Sequence, residues 1–381
     1  MSKHWSSPRF RFTGAAVLLV LLVFLLPAVR EGDRRLYLLA AVIPASLLFF
    51  LTVPARLFSL DRMLLSLSLY LCTIGILALA VSSPDEAFSQ GLRCAAGVAA
   101  LITGAVLLRI LSPSPLNMLV SAFLGLLMLA VHWLSPSASM PLTGFSVALL
   151  LISFSACLSL YGGMAALLPG IACAVLLLFQ GLIIETALWC AAVLLLLWAA
   201  DGRLIVLFSA AAAFTLLYFA GRYLLPAASV QSAAQDYSPL NVLLSGNLFG
   251  PASPDAADSL LLSSDMPLYS LAGHYGLVFT GLTLLLYLPL LLRGISVASC
   301  ARTRFHAVLA MGCVLLLGTR TLTSLLAVFE VLPLPLKPPP LLTVSLPDLC
   351  AQMLFIGMLC GISGRNEADL AEDAHLAMLA K

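Results

Sequence analysis

The sequence predicts an all-α protein that crosses a membrane many times. Of its 381 residues, 62% are hydrophobic and only 9% are charged, whereas soluble domains carry about 25% charged residues. The mean hydropathy is +1.09, and many apolar runs reach the roughly 20 residues that span a bilayer. Because lipid cannot hydrogen-bond an open backbone, these runs are predicted to be helices.

Twelve apolar segments meet this criterion, and short connections predict antiparallel neighbours for most of them. The first follows a basic start and ends on a poor cleavage site, so it is interpreted as a retained helix and not as a signal peptide. The predicted segments are 13–29, 36–53, 63–82, 92–110, 117–134, 143–161, 164–181, 182–200, 203–225, 267–292, 305–331 and 341–362.

Basic residues predict the orientation of these segments. With both termini in the cytoplasm, most arginines next to the segments fall on the cytoplasmic side, although three within 30–35 fall outside. The long connection 226–266 is then extracytoplasmic; it contains four aspartates and no Lys or Arg. Such long loops are usually functional or disordered, so a flexible linker and a substrate-facing loop are both retained as interpretations.

Several classes of protein lack support. A net charge of +2 gives no indication of a nucleic-acid partner. The nine cysteines include no CxxC pair, no His/Cys cluster has the spacing of a metal site, and there is no phosphate-binding G-x-x-x-x-G-K-[ST] loop. The two halves contain no clear matching pair of helices interrupted by Gly or Pro, which weakens the interpretation as a secondary transporter.

Two charged residues interrupt apolar segments. Arg320 lies within LLLGTRTLTSLL and Glu185 within IIETALWC. An arginine at the bilayer centre costs about 3 kcal/mol on insertion scales, so Arg320 requires a partner, a cavity or an anionic ligand. A structural Arg320–Glu185 ion pair is one interpretation. The other is a pyrophosphate site, because a guanidinium matches phosphate oxygens bidentately.

Asp265 lies where the long loop meets the next apolar segment. A carboxylate at this position commonly caps a helix, and Pro267 two residues later fits such a cap. A carboxylate at the membrane surface can also act as a general base. The residues alone leave both roles open for Asp265.

Short stretches of the second half form a recognisable series. Ser264–Ser270 follows the loop, Gly276-Leu277-Val278 comes next, Leu291–Gly294 closes the segment with Arg-Gly, and Pro338 and Pro340 precede the last segment. With the position of the long loop and the helix count, this series resembles the SEDS family (shape, elongation, division and sporulation). Its members are ten-helix membrane glycosyltransferases that polymerise lipid II into peptidoglycan.

The resemblance implies a ten-helix SEDS-like core over residues 63–364, preceded by two extra transmembrane helices in residues 1–62 and followed by a cytoplasmic tail, 365–381. It implies a bacterial inner-membrane protein that acts in cell shape or division on lipid II, amid membrane lipid, with a class B penicillin-binding protein as partner. In this reading Asp265 is the catalytic base. The predicted substrate-binding residues are Arg320, Glu185, Gln180 and Trp133.

The chemistry needs cations for the leaving undecaprenyl pyrophosphate, supplied by Arg, by Lys or by a divalent ion as cofactor. No other cofactor is implied. Two further functions stay open. Gly273-His274 replaces the acidic pair of the family, which favours a non-catalytic, lipid-binding scaffold of the division or elongation machinery. A flippase for a lipid-linked sugar would instead use Arg320 and Glu185 in a polar path.

Overall fold

The structure is a computed structural model. It describes residues 17–18, 20–25, 28–29, 32, 34–58, 60–82, 84–134, 142–202, 205, 208–212, 214–216, 219, 243, 247–249, 267–331 and 337–379. Within these residues the secondary structure is helical, and the all-α prediction is confirmed. The helices are α1 (Arg34–Leu57), α2 (Arg62–Ser82), α3 (Pro84–Ile110), α4 (Pro115–Leu134), α5 (Thr143–Tyr161), α6 (Gly163–Phe179), α7 (Ile183–Asp201), α8 (Pro267–Tyr275), α9 (Leu277–Leu285), α10 (Tyr287–Ser299), α11 (Arg304–Val328) and α12 (Leu346–Leu379).

Nine membrane-length apolar helices occur in the described part of the chain, with α9 and α10 counted together as one span. The shorter α6 has 17 residues and forms an antiparallel pair with α7 across the turn at Gly181. Trp189 of α7 donates its indole N–H to the carbonyl of Gly170 in α6 at 2.9 Å. The described part is therefore a multi-pass helical bundle.

The predicted segment 267–292 is three helices and not one. Gly276 adopts a positive φ of 89°, and the next two backbone N–H groups donate to Asn247 and Leu248 of the long connection. The second interruption, at Leu286, precedes Pro289, whose ring cannot donate the regular i→i−4 hydrogen bond. By contrast, α12 continues through 365–379, which the sequence analysis treated as a separate tail.

The closest packing joins α3 to α12. A Cβ added at Gly357 would lie 2.1 Å from the carbonyl oxygen of Leu101, and one added at Gly104 would lie 2.7 Å from that of Leu354. Membrane helices gain little from the hydrophobic effect against one another, so their association depends on such close van der Waals contact between small residues. These two helices are therefore packed backbone against backbone.

A buried carboxylate joins three helices at one end of the bundle. Asp61 accepts hydrogen bonds from the backbone N–H groups of Met63 and Leu64, which caps α2. Its second oxygen accepts from Nε and Nη2 of Arg293, the latter at 2.7 Å, and from Ser363 Oγ at 2.9 Å. This cluster fixes α2, α10 and α12 relative to one another.

Candidate functional site: a charged cavity at the loop end of the bundle

A cavity of about 530 Å³ lies at the other end of the bundle. This half-open cavity is lined by the N-terminal ends of α5, α7 and α12, the C-terminal part of α11, Arg93 of α3 and residues 337–345, which we call the triple-proline segment. Its ionisable lining residues are Arg93, Glu185, Arg320, Lys337 and Asp348. A cavity of this size that brings five charged side chains together within an apolar bundle is the default candidate for a binding site.

Side chains from the surrounding helices hold the triple-proline segment in place. Gln90 and Arg93 of α3 donate to the carbonyls of Thr343 and Val344, at 2.9 and 3.0 Å. Tyr287 donates its hydroxyl to the carbonyl of Pro340. Non-helical backbone within a membrane bundle needs such partners, because lipid provides none.

One residue of this segment is strained. Leu341 has φ of 69°, a conformation that costs a residue with a side chain roughly 1–2 kcal/mol. Its backbone N–H donates to Gln352 Oε1 of α12 at 2.6 Å. The hydrogen bond offsets part of the strain, and Gln352 itself lines the cavity.

The charged side chains of the cavity form one hydrogen-bonded ion pair and one longer electrostatic contact. Lys337 donates its ammonium to Glu185 Oε1, and this pair spans from the triple-proline segment to the start of α7. Arg320 Nη1 lies 3.8 Å from Asp348 Oδ1, which is an electrostatic contact without hydrogen-bond geometry. The lining therefore carries three cationic and two anionic side chains.

Arg320 and Glu185 both line this cavity, as a shared site requires. The direct ion pair between them, one interpretation of the sequence, is not formed. Glu185 is paired with Lys337, and Arg320 lies next to Asp348. Arg320 nevertheless acts on Glu185 electrostatically. The polar environment that Arg320 needs within the apolar α11 is thus the cavity itself.

Gln180 and Trp133 lie outside the set of residues that line the cavity. Gln180 donates from Nε2 to the carbonyl of Leu129 at 2.8 Å and so joins the α6–α7 turn to α4. Trp133 lies at the C-terminal end of α4 with 55% of its surface exposed. The structure gives Gln180 a structural contact and places Trp133 on the outer surface of the bundle.

Asp265 lies outside the described residues, but the helix that follows it does not. Helix α8 begins at Pro267 and is buried through Gly273. Ser270 donates to the carbonyl of Ala78 at 2.6 Å, near the end of α2 that leads into α3. Since the N-terminal part of α3 contacts the triple-proline segment, α8 lies at the same end of the bundle as the cavity.

Sequence reasoning missed Arg93, Lys337, Asp348 and Gln352 as candidates. Arg93 lies at the start of predicted segment 92–110, whereas the helix begins nine residues earlier at Pro84. Lys337 is the one basic residue of the run LPLPLKPPP. A charge in an otherwise apolar stretch was the available signal at both positions, as it was at Arg320.

No family model matches this sequence, and no curated protein matches it. The comparison with solved structures does give matches. Together the helical bundle and its cavity define the class: a polytopic membrane protein with charged side chains gathered at a cavity among its helices.

Within that class, the chain has the fold of the rod shape determining protein RodA. The crystal structure of the Thermus thermophilus protein is similar to it with a TM-score of 0.53 and 18% identity, over 80% of this chain and 97% of that chain. An Asp-to-Ala variant of the same protein gives a TM-score of 0.54 at 18% identity, with the same coverage of both chains.

A third match comes from a peptidoglycan synthase complex that coordinates polymerization and crosslinking. It has a TM-score of 0.59 and 17% identity, over 81% of this chain and 98% of that chain. RodA is a SEDS protein, so the resemblance inferred from the sequence is confirmed at the level of the fold. The chain therefore has a SEDS-like fold.

Proposed function

We propose that this protein is a SEDS-type peptidoglycan glycosyltransferase that polymerises lipid II in the bacterial inner membrane. The observation that carries the proposal is the charged cavity within a RodA fold, at the end of the bundle where α8 follows Asp265. A lipid-linked disaccharide pyrophosphate combines a bulky polar head, two phosphates and a long apolar tail. A half-open, mostly apolar cavity with three cationic side chains in an apolar bundle suits such a molecule.

In the proposed reaction, a sugar hydroxyl of one lipid II molecule attacks the anomeric carbon of another. A new glycosidic bond forms, the bond to the pyrophosphate oxygen breaks, and undecaprenyl pyrophosphate leaves with the bonding electron pair. Asp265 accepts the proton of the attacking hydroxyl as general base. Arg93, Arg320 and Lys337 stabilise the negative charge on the leaving pyrophosphate. A divalent ion could share this role only together with the cavity carboxylates, Glu185 and Asp348.

The proposed partner is a class B penicillin-binding protein, which would crosslink the new strands. Support comes from the similarity to a chain of a peptidoglycan synthase complex. The extracytoplasmic orientation of the cavity end is part of the same proposal, because lipid II is polymerised on that side of the membrane. With that orientation both termini are cytoplasmic.

One observation favours a second candidate, a non-catalytic scaffold that binds a lipid-linked saccharide. Both carboxylates of the cavity, Glu185 and Asp348, are next to cations. A carboxylate engaged by a cation is a weaker base, so the described part of the lining supplies binding groups and no carboxylate that is free of a cation. Catalysis therefore depends on Asp265.

The experiment that separates the two candidates is a polymerisation assay with purified protein, fluorescent lipid II and a class B penicillin-binding protein. We expect glycan strands from the wild type and a loss of at least about 100-fold in rate for Asp265→Ala, as expected for removal of a general base. Asp236→Ala, which alters another carboxylate of the same loop, is the matched control and should keep the wild-type rate.

Equal rates for wild type and Asp265→Ala would exclude Asp265 as the base. Saturable binding of lipid II without polymer, with every partner tested, would support the scaffold instead. Transfer of lipid II between the leaflets of liposomes without polymer would support a flippase.

A further inference from the structure

The two side chains of the Lys337–Glu185 pair differ in their exposure to solvent. The side chain of Lys337 is 53% exposed, whereas that of Glu185 is 16% exposed. The backbone of Lys337 is fixed, because Ser324 Oγ donates to its carbonyl at 2.6 Å. The flexible four-carbon stem of a lysine can therefore redirect the ammonium within the cavity while the main chain stays in place.

The charge balance of the cavity indicates which kind of ligand the Lys337 ammonium could bind. Arg93 donates to the Val344 carbonyl and to Gln90, and none of the described carboxylates forms an ion pair with it. With Arg320 and Lys337 against Glu185 and Asp348, the lining has one positive charge in excess. A ligand with two or more negative charges is not neutralised by this one excess positive charge. It therefore competes with Glu185 for the Lys337 ammonium, which can move.

We propose that Lys337 is a ligand-binding residue of this cavity and that Glu185 competes with the ligand for it. In this structure, Glu185 holds the ammonium at the start of α7. When the pyrophosphate of a lipid-linked saccharide enters, Lys337 leaves Glu185 and binds a phosphate oxygen. Glu185 then opposes the bound anion, so its charge lowers the affinity of the site. The inference rests on the proposed function.

The two partners should therefore have opposite effects on binding. The test measures the dissociation constant of fluorescent lipid II for the purified full-length protein in detergent, by fluorescence polarisation. Lys337→Gln should raise Kd by about tenfold, the equivalent of one charge-assisted hydrogen bond. Glu185→Gln should lower Kd by roughly threefold or more, since it frees the ammonium and removes a repelling charge.

A double variant distinguishes competition from independent effects. The gain in affinity from Glu185→Gln should be smaller in the Lys337→Gln background than in the wild type, because only the part due to competition for Lys337 is lost there. Lys337→Arg retains the positive charge and should keep Kd within about threefold of the wild type. Asp85→Asn alters an exposed ion pair with Arg35 and is the control that should leave Kd unchanged.

Weaker binding by Glu185→Gln, with a wild-type unfolding midpoint, would overturn the inference, since Glu185 would then contact the ligand directly. Unchanged Kd for Lys337→Gln would overturn it as well. Both results leave the proposed function intact, because the wild type still binds lipid II. Absence of saturable binding by the wild type would instead contradict the proposed function itself.

Discussion

Arg320 illustrates how a single residue acquires its environment. Eleven residues of mostly apolar sequence surround it in α11, and a guanidinium in lipid costs about 3 kcal/mol or more. The cavity provides water-accessible space, Asp348 at 3.8 Å and the nearby Glu185. A protein that needed only a stable bundle would gain by replacing Arg320 with leucine, so its presence is consistent with the binding role that we propose.

Asp61 is the contrasting residue, with a structural role at the opposite end. We expect Asp61→Asn to lower the free energy of unfolding by about 2 kcal/mol, because Arg293 loses its charged partner while the cap of α2 is retained. Thermal unfolding in detergent measures this. Asp85→Asn, in an exposed pair with Arg35, should change the midpoint little. Equal shifts of the unfolding midpoint for the two variants would show that the burial of Asp61 does not add to the stability of the protein.

Single residues were predictable from sequence where a charge interrupts an apolar run. Arg320 and Glu185 were found in this way, and both line the cavity. The pairing of these residues with Lys337 and Asp348 was not predictable, because both partners reach the site through the non-helical triple-proline segment and the helix start after it. Periodicity gives no information on where such a segment folds.

At the scale of elements, the apolar runs located the membrane-length helices of the described residues, since the bilayer sets a required span, but α3 and α12 extend well beyond their predicted bounds. The bounds of α5 equal the prediction 143–161. The division of 267–292 into α8, α9 and part of α10 was missed. It depends on backbone hydrogen bonds from the start of α9 to Asn247 and Leu248, some thirty residues earlier in the chain.

The contact between α3 and α12 provides an element-scale prediction. Gly357→Ala should destabilise the protein by about 1–3 kcal/mol, since the new Cβ would lie 2.1 Å from the Leu101 carbonyl oxygen and force the helices apart. Thermal unfolding in detergent is the measurement. Gly91→Ala is the matched control within α3, because nothing lies within 4 Å of its added Cβ. A Gly357→Ala variant as stable as Gly91→Ala would contradict this packing.

For the whole molecule, the two ends of the bundle have distinct roles. At one end, the Asp61 carboxylate joins the helices through its hydrogen bonds to Arg293 and Ser363, and at the other end the helices surround the cavity with Arg320. The sequence predicted which end faces outside from the distribution of arginines. It could not predict that the charged residues enclose one cavity, because that depends on how α3, α5, α7, α11 and α12 pack together.

The orientation can be measured with cysteine labelling in intact cells. Val331→Cys, exposed at the cavity end, should react with a membrane-impermeant maleimide added outside. The native Cys300, exposed just after α10 at the opposite end, should react only after the membrane is permeabilised. Reaction of Cys300 in intact cells, with Val331→Cys protected, would invert the orientation.

The central claim is that the charged cavity binds the head group of a lipid-linked saccharide. The most direct test places a photo-crosslinking amino acid at Leu188, which lines the cavity, and compares it with Phe179, which is exposed at the C-terminal end of α6. With head-group-labelled lipid II, the account predicts strong crosslinking at Leu188, abolished by excess undecaprenyl pyrophosphate, and weak, non-competed crosslinking at Phe179. Equal, non-competed labelling at the two positions would contradict it.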